Sequence, residues 1–322
     1  MSEQNTALQD SLKALLNLAE FAGYSCVLCS LLGFFSRFDV IPFDLFCHFR
    51  VQYLCLLALL VVPSIVRKRW IAVAMLSTAM VLNFCEVVPI FVAEKPVGAP
   101  VNRTVLTLVD TNFNSRNTNF DLLQSLVDSS GADILCWQEF SPAAESWAKT
   151  HLPAFKYSKQ IPRNDNFGIA LFSKLPVTSF RVENFSDVPI ESIVATVQAG
   201  GKPIQVISTH TYPPITGAAL YTRDLQLKNL GIFVRNSGVP TILCGDLNAT
   251  SWSSSFKDLI NDSGLKDSRQ GFGVQPSWPA GLGPMMIPID HVLVNPQMQV
   301  LSRTIGSAVR SDHFPVIVKL SI

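Results

Sequence analysis

The feature that most limits what this chain can fold into is a break in its charge pattern. Between Phe21 and Val92 charged residues are few and clustered, whereas after Lys95 they are spread as in an ordinary soluble protein. Over the whole chain 15% of residues are charged and 48% hydrophobic, against about 25% charged in a typical soluble domain. Three apolar runs fill the depleted region: Leu15–Phe35, Phe49–Val66 and Trp70–Val92. Each approaches the ~20 residues that a helix needs to cross a bilayer. The expectation is a membrane domain over residues 1–95 with three transmembrane helices, followed by a second domain over 96–322. A cleaved signal peptide accounts less well for the first run, since no basic segment precedes it and two more runs follow.

Arg67-Lys68-Arg69 separates the second and third runs. Short basic loops stay on the cytoplasmic side. That rule predicts the amino terminus inside, the Ser36–His48 loop outside, and an extracytoplasmic position for everything after Val92. Glu20 and Glu86 fall near span ends and read as exposed at the interface. Glu94–Pro100 reads as a linker, because its prolines and glycine stop a helix. The seven cysteines show no disulfide framework and no zinc spacing. Cys26 and Cys29 read as small apolar residues on a membrane helix.

From Val101 the pattern becomes short apolar runs bounded by turn residues. Strands are predicted at Val105–Val109, Ile134–Trp137, Gly168–Phe172, Ile193–Val197, Ile204–Ser208, Thr241–Cys244, Ile289–Val294 and Val316–Leu320. Helices are predicted at Phe120–Ser129, Ala143–His151, Ala218–Asn236 and Ser254–Asp262, with Asn119 and Ser253 as N-caps. This alternation suggests a layered α/β domain with packed sheets.

The informative polar residues sit where these strands end. Ile134–Trp137 runs into Gln138-Glu139, Thr241–Cys244 into Gly245-Asp246-Leu247-Asn248, and Val206–Ser208 into Thr209-His210. Asp290-His291 follows Pro288-Ile289, Ser311-Asp312-His313 precedes the last run, and Leu106–Val109 leads to Asn112 and Asn114. One such end is ordinary turn chemistry. Six of them suggest loops converging on one edge to build a site. Glu139, Asp246, Asp312, Asn112 and Asn248 offer hard oxygen ligands suited to Mg²⁺ or Mn²⁺. Histidines beside them serve proton transfer or charge stabilisation. The inventory fits phosphoester hydrolysis. No G-x-S-x-G elbow, P-loop or G-x-G-x-x-G sequence is present, which argues against acyl transfer, a nucleotide switch and a dehydrogenase. A net charge of +1 gives no broad basic footprint for nucleic acid.

The ordered series Thr111-Asn112, Trp137-Gln138-Glu139, Thr209-His210, Gly245-Asp246-Leu247-Asn248, Ile289-Asp290-His291 and Ser311-Asp312-His313 resembles the endonuclease/exonuclease/phosphatase superfamily, the DNase I-like fold. The resemblance runs from about Val101 to Ile322 and implies a four-layered α/β sandwich. It implies Glu139, Asn112 and Asp312 as metal-side residues. Asp246 and Asn248 would position the attacking water and contact the phosphate. His313 would be the catalytic histidine, Asp290 its orienting aspartate, and His210 a second histidine at the phosphate. His291 stands where many members carry an aromatic residue, and no tyrosine clearly matches the one that some nucleases use. Asn166 and Phe167 occupy that neighbourhood.

The predicted spans, the His210–Pro214 loop with Arg223–Leu227, and Ser277-Trp278-Pro279 are similar to a membrane-anchored bacterial branch. That branch includes proteins associated with vancomycin and teicoplanin resistance. The likeness implies lipid-linked phosphate or pyrophosphate as substrate, with Asn248, Asn166, Arg223 and Trp278 as substrate-binding candidates. Arg223 also reads as a helix-packing residue, and Trp278 as a cover for the sheet edge. The expected partners are the bilayer and the phosphoester, with no protein partner predicted. An extracytoplasmic nuclease and a non-catalytic membrane scaffold are the alternative functions.

Overall fold

The computed structural model describes residues 2–93 and 104–322. The predicted linker at 94–100 and the boundary at 95/96 lie outside the described residues. The chain divides into two compact units, Met1–Pro89 and Ile90–Ile322.

The first unit is helical: α1 (Ser2–Leu32), a 3-10 turn (Gly33–Phe38), α2 (Ile41–Cys47), α3 (Arg50–Val66) and α4 (Trp70–Val87). Residues 36–48, expected as a loop, are therefore mostly helical. Two helical stretches, Gln4–Phe38 and Trp70–Phe91, are long and apolar enough to cross a membrane. A third span is reached only if α2 and α3, bent by 73°, count as one. Leu57, Ala72, Leu76 and Ala79 pack inward, whereas Phe21, Leu59 and Ile71 point outward and are exposed. Helices apolar on both faces suit a lipid surround. Inside, Arg50 donates to Ser30 O at 2.8 Å and to Asn83 Oδ1 at 3.3 Å, and Asn83 Nδ2 donates to Ser30 Oγ at 2.5 Å. Such bonds hold apolar helices together where hydrophobic burial cannot. Glu20 is not left open at an interface: it pairs with Arg67 at 3.2 Å and Arg69 at 3.5 Å.

The second unit has two mixed six-stranded sheets, ordered β11-β12-β1-β2-β4-β3 and β5-β6-β7-β8-β10-β9. The strands are β1 (Val105–Asn112), β2 (Ile134–Gln138), β3 (Tyr157–Ile161), β4 (Ile169–Ser173), β5 (Val177–Asn184), β6 (Glu191–Ala199), β7 (Lys202–His210), β8 (Thr241–Asp246), β9 (Lys266–Asp267), β10 (Asp290–Val294), β11 (Gln299–Ile305) and β12 (Val316–Ser321). Their alternating side chains build three layers of core. Leu106, Cys136, Leu171, Ala195, Val206, Cys244, Val292 and Val318 fill the space between the sheets. On the outer face of the first sheet, Val109, Leu135 and Ala170 pack against α5 (Phe120–Ser130) and α6 (Pro142–His151). On the second, Val194, Ile207, Leu243 and Leu293 pack against α7 (Gly217–Ser237) and α8 (Ser254–Ser263). The result is a four-layered α/β sandwich. Ser253 caps α8 through Phe256 N, whereas Asn119 makes no side-chain cap at α5.

One glycine is required by the close approach of two strands. A Cβ on Gly245 would lie 1.8 Å from Thr209 O, and its φ is 144°. Only glycine lets β8 reach the site end alongside β7.

Candidate active site

Strand register brings the polar ends together. Asn112 pairs with Gln138 at the parallel ends of β1 and β2, and Glu139 follows at once. β12 runs antiparallel to β1, with Asp110 opposite Val316, so the preceding Ser311–His313 segment reaches the same edge. In the second sheet His210 pairs with Asp246 at the parallel ends of β7 and β8. Asp290 begins β10 opposite Asp246. Each sheet therefore presents three candidate site residues at one end of its strands.

The two sets meet at Asn112. Its Nδ2 lies 3.1 Å from Glu139 Oε1, 3.1 Å from Asp246 Oδ2 and 3.5 Å from His313 Nε2. Its Oδ1 accepts from Asn114 N at 3.1 Å, which fixes the amide. Glu139 Oε2 accepts from Ser115 N at 3.0 Å. His313 Nδ1 lies 2.9 Å from Asp290 Oδ2, and Ser311 Oγ accepts from His313 N at 3.0 Å. Asp246 Oδ2 has both imidazoles as neighbours, His210 Nε2 at 3.5 Å and His313 Nε2 at 3.6 Å. Glu139 and Asn248 hold φ of 56° and 44°, a left-handed geometry that costs of order 1–3 kcal/mol and gathers at functional sites.

Burial disfavours the His313 cation, but the Asp290 and Asp246 carboxylates outweigh it and push the ring up to about 10. His210 is shifted upward in the same way: burial opposes its charge and Asp246 prevails. Burial alone would raise Asp246, yet His313 and His210 hold it down to about 2. The arrangement thus keeps an ionised carboxylate between two imidazoles that favour the charged form.

A divalent cation fits this donor set. Two carboxylate oxygens and a ring nitrogen surround one amide nitrogen that has only two protons to give. His210 Nδ1 is buried without a hydrogen-bond partner. Asp246, Asp290 and His313 each place a ligand atom within 4.8 Å of the others.

Asn112, Glu139, His210, Asp246, Asp290 and His313 come together. Asn248 borders them, with its N donating to Asp246 Oδ1 at 2.9 Å and its Nδ2 to Thr211 O at 2.8 Å. Asp312 stands at the exposed rim, where its oxygens accept from Asn114 Nδ2 at 2.8 Å and Trp278 Nε1 at 3.3 Å. The Trp278 ring lies 6.4 Å from that of His313. Asn166 is exposed and accepts from Ser115 Oγ at 2.8 Å.

Arg223, a substrate-binding candidate, lies inside the fold. It is fully buried and donates to Asn248 O at 3.0 Å, so it supports the turn that carries Asn248. His291, the departure from the family pattern, is also fully buried, with Nε2 2.8 Å from Ala249 O. It braces the same turn from the other side.

Three participants were not singled out from sequence. The tilted rings of Tyr212 and Phe167 lie 4.6 Å apart, and those of Phe167 and His210 5.5 Å apart, forming an aromatic wall. Asp110 is buried with Gln138 Nε2 donating to it at 2.9 Å, and burial pushes it well above the carboxylate range. Arg303, fully buried on β11, donates to Asp290 O at 3.3 Å, to Ser268 Oγ at 3.2 Å and to Gln275 Oε1. The Pro-rich stretch after His210 was a signal for Tyr212. Arg303 had none.

The sequence pattern of the Endonuclease/Exonuclease/phosphatase family matches residues 106–313. The chain belongs to that family. Solved structures of family members share its fold at low identity. D. rerio TDP2 in complex with a single-strand DNA product is 14% identical, with a TM-score of 0.58 over 68% of this chain and 99% of that one. A Bacteroides thetaiotaomicron mannosyl-6-phosphatase is 19% identical, with a TM-score of 0.56 over 67% of this chain and 100% of that one. Another B. thetaiotaomicron protein, named only for the family, is 18% identical, with a TM-score of 0.57 over 69% and 97%. No curated protein sequence matches significantly.

Proposed function

We propose that this chain is a membrane-anchored hydrolase of phosphate esters or pyrophosphates, dependent on Mg²⁺ or Mn²⁺ and directed at lipid-linked substrates. The observation that carries the reading is the convergence of Glu139, Asp246 and His313 on Asn112, drawn from both sheets. Glu139 would hold the ion together with Asp246, while Asn112 Nδ2 would orient both carboxylates and Asp312 would stand at the rim. When bound, the ion polarises the phosphate and offsets its charge.

The chain's own groups do the rest. Asp246 is ionised and buried, so it accepts a hydrogen bond from the attacking water and aims it. Asn248 fixes that carboxylate through its backbone N–H. His313, held by Asp290, and His210 direct N–H donors at the phosphoryl oxygens, where charge grows in the transition state. Asp290 keeps the His313 ring in one orientation, as the aspartate of a triad does.

The amino-terminal helices supply the anchor. Arg67-Lys68-Arg69 favours a cytoplasmic loop there and an extracytoplasmic catalytic unit. An anchor in the bilayer on the same chain favours a lipid-borne phosphate as substrate over nucleic acid. The test gives the detergent-solubilised full chain a polyprenyl diphosphate, a soluble phosphodiester and plasmid DNA with Mg²⁺. Phosphate release from the lipid, abolished by EDTA, is expected. DNA nicking without lipid hydrolysis would instead establish a nuclease, and inactivity on all three would leave the scaffold reading.

A further inference from the structure

Two loops leave the candidate site and end in exposed apolar side chains. The first, residues 211–217, follows His210. Its root is pinned to the site, since Thr211 N donates to Asp246 O at 3.1 Å and Asn248 Nδ2 donates to Thr211 O at 2.8 Å. Four residues on, Ile215 is 76% exposed, and Tyr221 on the next turn of α7 is 57% exposed. The second loop, residues 279–286, follows Trp278. Ala280 N donates to Asp312 O at 2.7 Å and Phe314 N to Ser277 O at 2.8 Å, so this loop is rooted beside His313. Its Leu282 is 61% exposed and Met285 54%.

Neither loop contains a charged residue: they read Thr-Tyr-Pro-Pro-Ile-Thr-Gly and Pro-Ala-Gly-Leu-Gly-Pro-Met-Met. Large apolar side chains held open at two loops around one site mark an interaction surface. A docking rim for a protein usually carries polar and charged residues. A rim without them suits insertion between lipid headgroups. The same chain provides the membrane.

We infer that Ile215, Tyr221, Leu282 and Met285 form an apolar rim that seats the mouth of the catalytic site on the lipid bilayer. This rests on the proposed reading of the chain as a membrane-anchored hydrolase. The rim lets the site take a phosphate that stays attached to its lipid, because the phosphoryl group need not leave the headgroup layer to reach Asp246 and His313. Tyr212 and Trp278, just inside, then face the group carried by that phosphate.

The test uses the full chain reconstituted in vesicles of phosphatidylethanolamine and phosphatidylglycerol. A photo-crosslinking amino acid is placed at position 215 or 282, and as a control at Val182, which is exposed on β5. Lipid adducts are expected at 215 and 282 and not at 182. Equal yields at all three positions, or adducts joining two copies of the chain, would overturn the proposal. In the kinetic arm, combined Ile215→Ser, Leu282→Ser and Met285→Ser should leave hydrolysis of a soluble phosphodiester within about twofold. Hydrolysis of a vesicle-borne lipid phosphate should fall by about tenfold or more. Equal effects on both substrates would also overturn it. If the unsubstituted chain hydrolyses neither substrate, the hydrolase reading fails, and the crosslinks alone decide the rim.

Discussion

Asp246 and Asp290 face each other as register partners on antiparallel β8 and β10, with the His313 imidazole lying against both. Two like charges placed opposite across a strand pair repel. Here the ring meets Asp290 Oδ2 at 2.9 Å and Asp246 Oδ2 at 3.6 Å, which offsets the repulsion. Catalytic geometry and local stability therefore depend on the same side chain.

His313→Ala should remove both. Activity on a soluble phosphodiester should fall by about a hundred- to a thousandfold, the range for loss of one oriented donor to transition-state charge. The variant should also show a shifted stability profile in EDTA. With the cation gone, one buried carboxylate has its pKa raised above the unfolded value. Its contribution to stability is then present in acid and lost as pH rises. The melting temperature of the variant should peak at lower pH than that of the unsubstituted protein. An unchanged profile would mean that the two carboxylates do not couple through His313.

Asn112→Ala deletes the one donor shared by Glu139, Asp246 and His313. The Mg²⁺ concentration giving half-maximal activity should rise by about 10–100-fold, the usual effect of disturbing groups around a metal. A change in maximal rate with the metal requirement intact would argue against a place for Asn112 at the ion.

Arg303→Met leaves Asp290 O, Ser268 and Gln275 without their shared donor. Breaking a buried charged network of this kind costs about 3 kcal/mol. Denaturant unfolding of the catalytic unit, followed by tryptophan fluorescence, would read it. Activity should fall as well, since the arginine holds the backbone that carries Asp290.

His291 provides a pH signature away from the reacting groups. Burial, with Arg269 nearby, pushes its ring down from the ordinary 6.5 to about 3, so it is neutral when folded. The unfolded chain takes up a proton below pH 6.5, and the folded chain does so only near 3. Stability should therefore fall as pH drops through that window. His291→Gln should flatten the slope, measured as melting temperature against pH. An equal slope in the variant would assign the effect to other groups.

The sandwich was legible in sequence to the extent that its strands are covered on both faces. The eight strands expected are β1, β2, β4, β6, β7, β8, β10 and β12, all interior to their sheets. The four not expected, β3, β5, β9 and β11, are the four edge strands. An interior strand is buried on both faces and reads as a continuous apolar run. An edge strand such as Val-Thr-Ser-Phe-Arg-Val-Glu-Asn in β5 carries charge and looks like loop. Arg303 went unnoticed for this reason, since it lies on edge strand β11.

The site was legible because strand ends cluster its polar residues, and the register then decided which of them touch. Arg223 and His291 show the limit. Each is a polar residue beside a functional turn, and only burial reveals that it braces the turn. Asp312 sits in the same tripeptide as His313 yet points to the rim. The bend closed by His313 N on Ser311 Oγ sets the two side chains apart, which a linear motif does not display.

Three residues of the site come from one sheet and three from the other, and the layer of Leu108, Cys136, Val206 and Cys244 lies between. Neither sheet alone holds a usable set of groups. Hydrolysis is thus conditional on a closed sandwich: a partly opened or half-assembled chain cannot cleave a phosphoester it happens to meet. The same dependence makes the chemistry a gauge of the interior. A methyl group removed deep between the sheets, far from any substrate, should register first as lost turnover and only later as lost fold.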